Sequence, residues 1–462
     1  MAWSLHRAYL DRGLVSRMAV KRRESSDPSV AAIPNEACRP WRVRMARRIA
    51  DAIEGEGRLS RGAARRLRIL AEPARWRDVR RGVEDFEFPG TGRVLELFPE
   101  PPDLLHCHNL HGGYFDLREL PGLGRRVPLV LTVHDAWLLS GHCAHSLGCP
   151  RWRMGCGSCP DLTIPPAVPA DATAENWGRK RDVFAQTRLY VTTPCRWLMD
   201  RVEASILSPA VQEARVIPHG VDLDVFHPGD RGEARKRLGL PHEAVILLAC
   251  GDRIRSNPWK DFSTAREAVA RAASELSVSR RVLLVALGQA APDERAGSAE
   301  LRFVGHVEDA EVIADYYRAA DVYLHPARAD TFPNTVLEAL ACGTPVVATA
   351  VGGIPEQVDA MTGPATATHA GAGDANEPTG ALVEPGDVDA LASAVVRLMA
   401  DDGFRLGMGR RAARAASARF DLGRQVRDYL DWYAHILERE AGVRATTRRG
   451  KPGPLLETQR QE

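Results

Sequence analysis

The sequence predicts an α/β protein built of two doubly wound, parallel-sheet, Rossmann-like domains facing a cleft, and three observations predict it. At 462 residues the chain is too long for one ordinary core, so two domains of roughly 200 residues each are expected. Short, β-branched apolar runs alternate with helical stretches, which is the pattern of a parallel sheet with helical crossovers. The run 329–356, ADTFPNTVLEALACGTPVVATAVGGIPE, packs a turn, a helix, a buried strand and a glycine turn into one unit of that kind.

Composition narrows the class of function. Apolar residues make up 44% and charged residues 26%, as in a globular protein, and a formal charge of +2 gives no case for nucleic acid. No run reaches the length of a membrane span and the amino end has no signal-peptide pattern, so a cytoplasmic enzyme is expected. In that compartment the nine cysteines read as thiols or metal ligands before disulfides.

Taken in order, the chain opens on AWSLHRAYLDRGL, with Trp3, Leu5, Tyr9 and Leu10 at helical spacing and Gly13 as a stop, and 15–20 reads as a strand. A domain of this class usually begins with a strand and a glycine-rich turn, so the start reads as truncated. Arginine is dense from 39 to 81: Arg39, Arg42, Arg44, Arg47, Arg48, Arg58, Arg61, Arg65, Arg66, Arg68, Arg75, Arg77, Arg80 and Arg81 are interleaved with Trp41, Ile49, Leu67, Leu70 and Trp76. This is either a solvated helical face or a basic amphipathic surface for anionic lipid, peripheral at the inner face of a membrane.

Two strands, 104–108 and 130–133, run into polar loops carrying His111, Gly112, His134 and Asp135. Catalytic groups of doubly wound folds lie at such strand ends, which makes His111 and His134 the imidazole candidates. The stretch 142–160 holds Cys143, Cys149, Cys156 and Cys159, the last two as C-x-x-C. The spacing fits a structural zinc site, reduced packing cysteines or a redox pair. A strand at 189–193 and the segment 216–222, IPHGVD within it, lead to a boundary with Pro228-Gly229 as linker. In the second half, strands at 245–249, 282–287, 301–304 and 322–325 each end in a turn. The first of these runs into Arg253, Arg255 and Lys260, which could neutralise a diphosphate.

In the organising run, Asp330 and Thr331 are N-cap types and Pro333 suits a first helical turn, so a helix is expected to start near Phe332. Its unpaired N–H groups at Phe332, Asn334 and Thr335 suit a phosphate, while Asp330 and Glu338 could both face the cleft and take hydroxyls. A nucleotide sugar fits that set. The same residues also read as an N-cap and a solvated helix position.

The run resembles the signature of retaining, nucleotide-sugar-dependent glycosyltransferases of family 4, in which a carboxylate and a Glu precede an ACGTPVV strand and a GG-x-x-E turn. Asp330 stands where Glu is usual and Pro333 where Gly is common. The T-x-H-D at His134, the IPHGVD segment with His219 in place of Asn, and Lys260 carry the likeness further. The Cys-rich insert is similar to that of a subset associated with exopolysaccharides of the colanic-acid type. The resemblance implies the GT-B fold, with an acceptor-side domain over 1–217, a linker at 218–230, a donor-binding domain over 231–420, a helix at 421–440 crossing back, and a disordered tail at 441–462. A loop of Ala, Gly and Thr at 361–378 reads as an insertion. The resemblance also implies transfer from a UDP- or GDP-sugar to a sugar or lipid-linked sugar, with no metal required for catalysis. His134, Asp330 and Lys260 are then the catalytic set. Arg253, Arg255, Lys260, Phe332, Asn334, Thr335 and Glu338 face the donor, and His111, Gly112 and Asp135 the acceptor. A degenerate, non-catalytic sugar-nucleotide-binding scaffold is the competing expectation, and an epimerase of the same fold is disfavoured.

Overall fold

The computed structural model describes residues 1–55, 57–276, 280–361 and 377–449. It opens on helix α1 (Ala2–Asp11), followed by a small parallel pair, β1 (Met18–Val20) and β2 (Val30–Ala32). The strand expected at 15–20 is cut to its last three residues, and Val15 is exposed. Three helices follow: α2 (Trp41–Ile53), α3 (Arg58–Ala71) and α4 (Pro73–Arg80).

The first main sheet is parallel, in the order β3 (Leu105–His108), β4 (Leu129–Thr132), β5 (Leu189–Thr193) and β6 (Val211–Val216). Periodicity did not single out most of β6, whose Gln212, Glu213 and Arg215 give an edge strand without an apolar run. The second sheet has seven strands: β7 (Val245–Cys250), β8 (Val282–Leu287), β9 (Glu294–Ala296), β10 (Ala299–Val304), β11 (Val322–His325), β12 (Val346–Thr349) and β13 (Gly380–Val383). Their order is 13-12-11-7-8-10-9, and only β9, at the edge, pairs antiparallel. Every residue of β7, β8, β11, β12 and β13 is buried, as in strands covered on both faces, and the polar His325 and Thr349 stand only at the ends of β11 and β12. β10, next to the edge strand, alternates instead.

Two devices join the halves. Glu356, after β12, accepts hydrogen bonds from the backbone N–H of Arg196 (2.7 Å) and Trp197 (2.8 Å) at the start of the helix Arg196–Glu203, so a carboxylate of the second half caps a helix of the first. The chain then returns through a bridge between Val221 and Asp421 into the helix Leu422–Arg449. There Val426, Tyr429, Trp432 and Ile436 bury against Leu5, Ala8, Val130, Tyr190 and Ile217 of the first half. This crossing helix runs nine residues further than expected: it ends at Arg449, so 441–449 is helical where a disordered tail was expected. Residues 450–462, and 362–376 of the expected inserted loop, lie outside the described residues.

Candidate active site

The cleft is lined by the ends of β3 and β4 on one side and of β7, β11 and the run after β11 on the other. On the second wall Lys260 donates to Asp330 Oδ2 at 2.8 Å, and His325 Nε2 lies 3.2 Å from the same oxygen. Tyr323 fixes His325 from behind at 3.1 Å. Burial alone would raise the Asp330 carboxyl. The Lys260 ammonium and the His325 contact outweigh it and hold the group well below the usual carboxylate range. Asp330 is therefore an anion paired with a cation, where sequence reading allowed an N-cap.

The helix of the organising run spans Asn334–Ala341, starting two residues after Phe332. Pro333 is its N-cap, with extended backbone, and no side chain caps the helix. Gly352 and Gly353 pack against the Asp330–Thr331 backbone that leads into it. A Cβ on Gly352 would fall 1.8 Å from the Asp330 carbonyl, and one on Gly353 2.6 Å from both the Thr331 carbonyl and Cys195 Sγ. The glycine pair, read as a strand terminator, thus sets the path of the Asp330 loop. Phe332 is buried against His219 and Phe420, Asn334 is exposed at the helix start, and Thr335 is half-buried. Glu338 accepts from the Tyr317 hydroxyl at 2.8 Å, and burial raises its carboxyl above the ordinary range despite that bond.

The facing wall is imidazole-rich. His108 Nδ1 and His134 Nε2 are 3.0 Å apart, and the rings of His134 and His219 lie 5.3 Å apart. His219 Nδ1 reaches Asn334 Oδ1 at 3.1 Å, which ties the two walls together, and its buried Nε2 has no partner. Burial pushes His134 down to about 4 and His106 and His219 to about 3, so all three are neutral near pH 7. His111 behaves oppositely. Its Nε2 sits 2.9 Å from Asp135 Oδ2, and that bond raises its pKa, while Asp135 also accepts from the Trp137 N–H at 2.8 Å. Gly112, at φ +96°, offers a carbonyl that accepts from Lys21.

The structure thus brings Lys260, Asp330, Asn334, Glu338 and His134 to one cleft, with the His111–Asp135 pair beside His134. It does not bring the two arginines to Lys260. Arg255 is held by Glu294 at 2.7 Å and lies over the Phe303 ring, while Arg253 is exposed beside Asp252. The four cysteines are free thiols in one loop, with His142 Nε2 3.4 Å from Cys159 Sγ and the Gly141 N–H donating to Cys156 Sγ. Burial pushes the Cys156 thiol up to about 11. Among the described residues no group of three or more His, Cys, Asp or Glu side chains is arranged to hold a metal ion, so the tetrahedral zinc set is not assembled here.

Sequence reasoning missed four cleft residues. His108 was signalled by the H-C-H alternation, which places His106 and His108 on one face of β3. His325 ends β11 just before the Asp330 loop. Tyr317 lies on a helix preceding β11 with no local cue. His145, from the Cys-rich loop, packs its ring 5.5 Å from Trp259 next to Lys260, a juxtaposition that only the tertiary structure makes.

Two parallel-sheet domains facing a cleft, joined by a crossing helix, are the GT-B architecture. Solved structures bear out that architecture. Sucrose-phosphate synthase from Thermosynechococcus elongatus superposes with a TM-score of 0.56 at 19% identity, covering 94% of this chain and 92% of that one. WaaG, a glycosyltransferase involved in lipopolysaccharide biosynthesis, gives 0.54 at 18% identity, covering 93% and 94%. HepE from Anabaena, solved in complex with UDP, gives 0.51 at 17% identity, covering 76% and 83%. Residues 54–225 match the model of Glycosyltransferase Family 4 and residues 244–401 that of Glycosyl transferases group 1. The chain is 32% identical over 352 residues to D-inositol 3-phosphate glycosyltransferase 1 of Catenulispora acidiphila, covering 74% of each. It is 39% identical over 345 residues to the D-inositol 3-phosphate glycosyltransferase of Actinosynnema mirum, covering 68% of this chain and 74% of that one. The chain belongs to the group 1, family 4 glycosyltransferases.

Proposed function

We propose that the protein transfers a sugar from a UDP- or GDP-sugar to an acceptor hydroxyl with retention at the anomeric carbon. The observation that carries this reading is the convergence of Lys260, Asp330 and Glu338 around one helix start, opposite a neutral histidine wall. In the reaction the bond from the anomeric carbon to the β-phosphate oxygen breaks and the acceptor oxygen bonds the same face. The acceptor proton passes to the leaving phosphate, since no side chain in the cleft is assigned as a nucleophile. Negative charge grows on the diphosphate, and Lys260 and the N–H groups at Asn334 and Thr335 stabilise it. Lys260 keeps protons to spare beyond the one given to Asp330. Arg253 is the arginine that turns toward the donor, because its only ion pair among the described residues is with the exposed Asp252 while Arg255 is held by Glu294 and the Phe303 ring. Asp330 takes sugar hydroxyls and Glu338 ribose hydroxyls, its raised carboxyl reflecting a dry pocket. His134 orients the sugar or acceptor, with the His111–Asp135 pair alongside.

The acceptor has two readings. The Cys-rich insert favours a sugar or lipid-linked sugar in exopolysaccharide assembly, while the names of the curated relatives favour inositol phosphate. Binding and slow hydrolysis of a panel of UDP- and GDP-sugars, with Glu338→Ala in parallel, tests the donor site. Product formation on inositol 3-phosphate and on sugar acceptors separates the two acceptors, and the anomeric coupling of the product reads retention. A protein that binds none of the panel overturns the UDP- or GDP-sugar donor and moves the scaffold reading ahead.

A further inference from the structure

The helices α2 and α3 are built inside out. Two small residues, Ala50 and Ala64, are their fully buried positions, whereas six large apolar residues are exposed and Val43, Leu67 and Ile69 are only half-buried. Trp41, Met45, Ile49 and Ile53 recur every four residues on α2 and are 65%, 47%, 50% and 42% exposed; on α3, Leu59 is 91% and Leu70 75% exposed. Four-residue spacing puts the α2 set on one stripe. An ordinary surface helix does the reverse, turning its large side chains to the core. None of the buried residues of the three hydrophobic cores comes from these helices.

The arginines divide along the same line. Those on the protein side are paired: Arg39 and Arg47 with Glu72, Arg68 with Asp51 and Glu54, and Arg75 with Asp85. Arg48, Arg58, Arg61, Arg65 and Arg66 are exposed and make no ion pair with any described residue. From 41 to 70 nine arginines stand against three acidic residues. Aliphatic and indole side chains next to unpaired guanidinium groups match the boundary of an anionic bilayer, where rings and acyl-facing side chains enter and arginines stay at the phosphates. A nucleic acid offers nothing to Met45, Ile49, Ile53 and Leu59. A second copy would bring equal positive charge against this face.

We infer that the exposed face of α2 and α3 is a docking surface for an anionic lipid bilayer. Among the described residues no helix is long and apolar enough to cross a membrane, so the attachment lies in the interfacial plane.

The test is co-sedimentation of the full chain with phosphatidylcholine vesicles, with and without 30% phosphatidylglycerol, at low and high salt. Binding is expected to the anionic vesicles only, and to fall at high salt. The variant R58E/R65E/R66E is expected to bind roughly a hundredfold more weakly, at about fivefold per arginine, and W41S/I49S/L59S at least ~10-fold more weakly. All six positions are exposed, and thermal unfolding confirms that the variants fold. Equal binding to neutral vesicles, or variants that bind like the parent, overturns the proposal. A dimer in light scattering that the apolar variant dissolves, without vesicle binding, also overturns it and makes this face a contact between copies. The readout is independent of transferase activity, so its failure leaves the enzymatic reading standing.

Discussion

The two walls of the cleft solve the burial of polar groups in opposite ways. On the second wall Asp330 is half-buried as an ion, with Lys260 and His325 around it. On the first, His106, His108 and His134 are half-buried neutral rings that bond one another, Thr132 and Tyr433. A charged group leaves water only when paired, whereas an imidazole can give up its charge. Under the proposed function, the Lys260 ammonium of the paired wall faces the donor's diphosphate and the neutral rings face hydroxyls.

That contrast can be broken at its strongest point first. Lys260→Ala removes the cation from the charged wall, and kcat/KM is expected to fall about 10²–10³-fold, or about 2.7–4 kcal/mol in activation. Activity within threefold of the parent would show that the diphosphate does not sit there. The neutral wall is read by stability against pH. His134, His106 and His219 have folded pKa values below the unfolded 6.5, so the unfolded chain takes up protons first as pH falls. Stability is expected to be full above pH 6.5 and to drop toward pH 4, on the order of 3 kcal/mol for His134 alone. His111 opposes this weakly, since its raised pKa adds stability below 6.5 that is lost as pH rises through its folded value. A denaturant midpoint unchanged between pH 7.5 and 5 would contradict the neutral wall. A smaller effect separates pairing from substrate contact: Asp330→Asn keeps the shape but loses the charge, and a 10–100-fold loss of kcat/KM is expected, about 1.5–3 kcal/mol. Smallest is Glu356→Ala, which uncaps the helix Arg196–Glu203 of the opposite half. A cost of about 1 kcal/mol in unfolding free energy is expected, and no change would mean that the Glu356 cap adds nothing to the contact between the two halves.

Much of the fold was legible because fully buried parallel strands must be apolar at every position. Runs such as VILLAC, VLLVAL and VVAT announce themselves, and the helix after Asp330 follows from the spacing of Val336, Leu337 and Leu340. The crossing helix was expected at 421–440 from the resemblance, and Val426, Trp432 and Ile436 are the apolar positions it buries completely. Most of β6 and β9 was not legible, since half-exposed edges carry no apolar signal. Of the candidate site, Asp330, Glu338, Lys260 and His134 were named from strand ends, a helix start and the family resemblance, and the structure places them on the two walls of the cleft.

The sequence by itself determined the α/β class, the buried strands of the second sheet and the residue types that end them, because burial on two faces and helix starts act over a few residues. Only the tertiary structure decided that Asp330 is an ion pair and not a cap, that His108, His145, His219 and Tyr317 share its cleft, and that the largest apolar residues of α2 and α3 face outward. Those facts depend on which distant elements meet, and no local pattern encodes the partner that desolvates or neutralises a side chain.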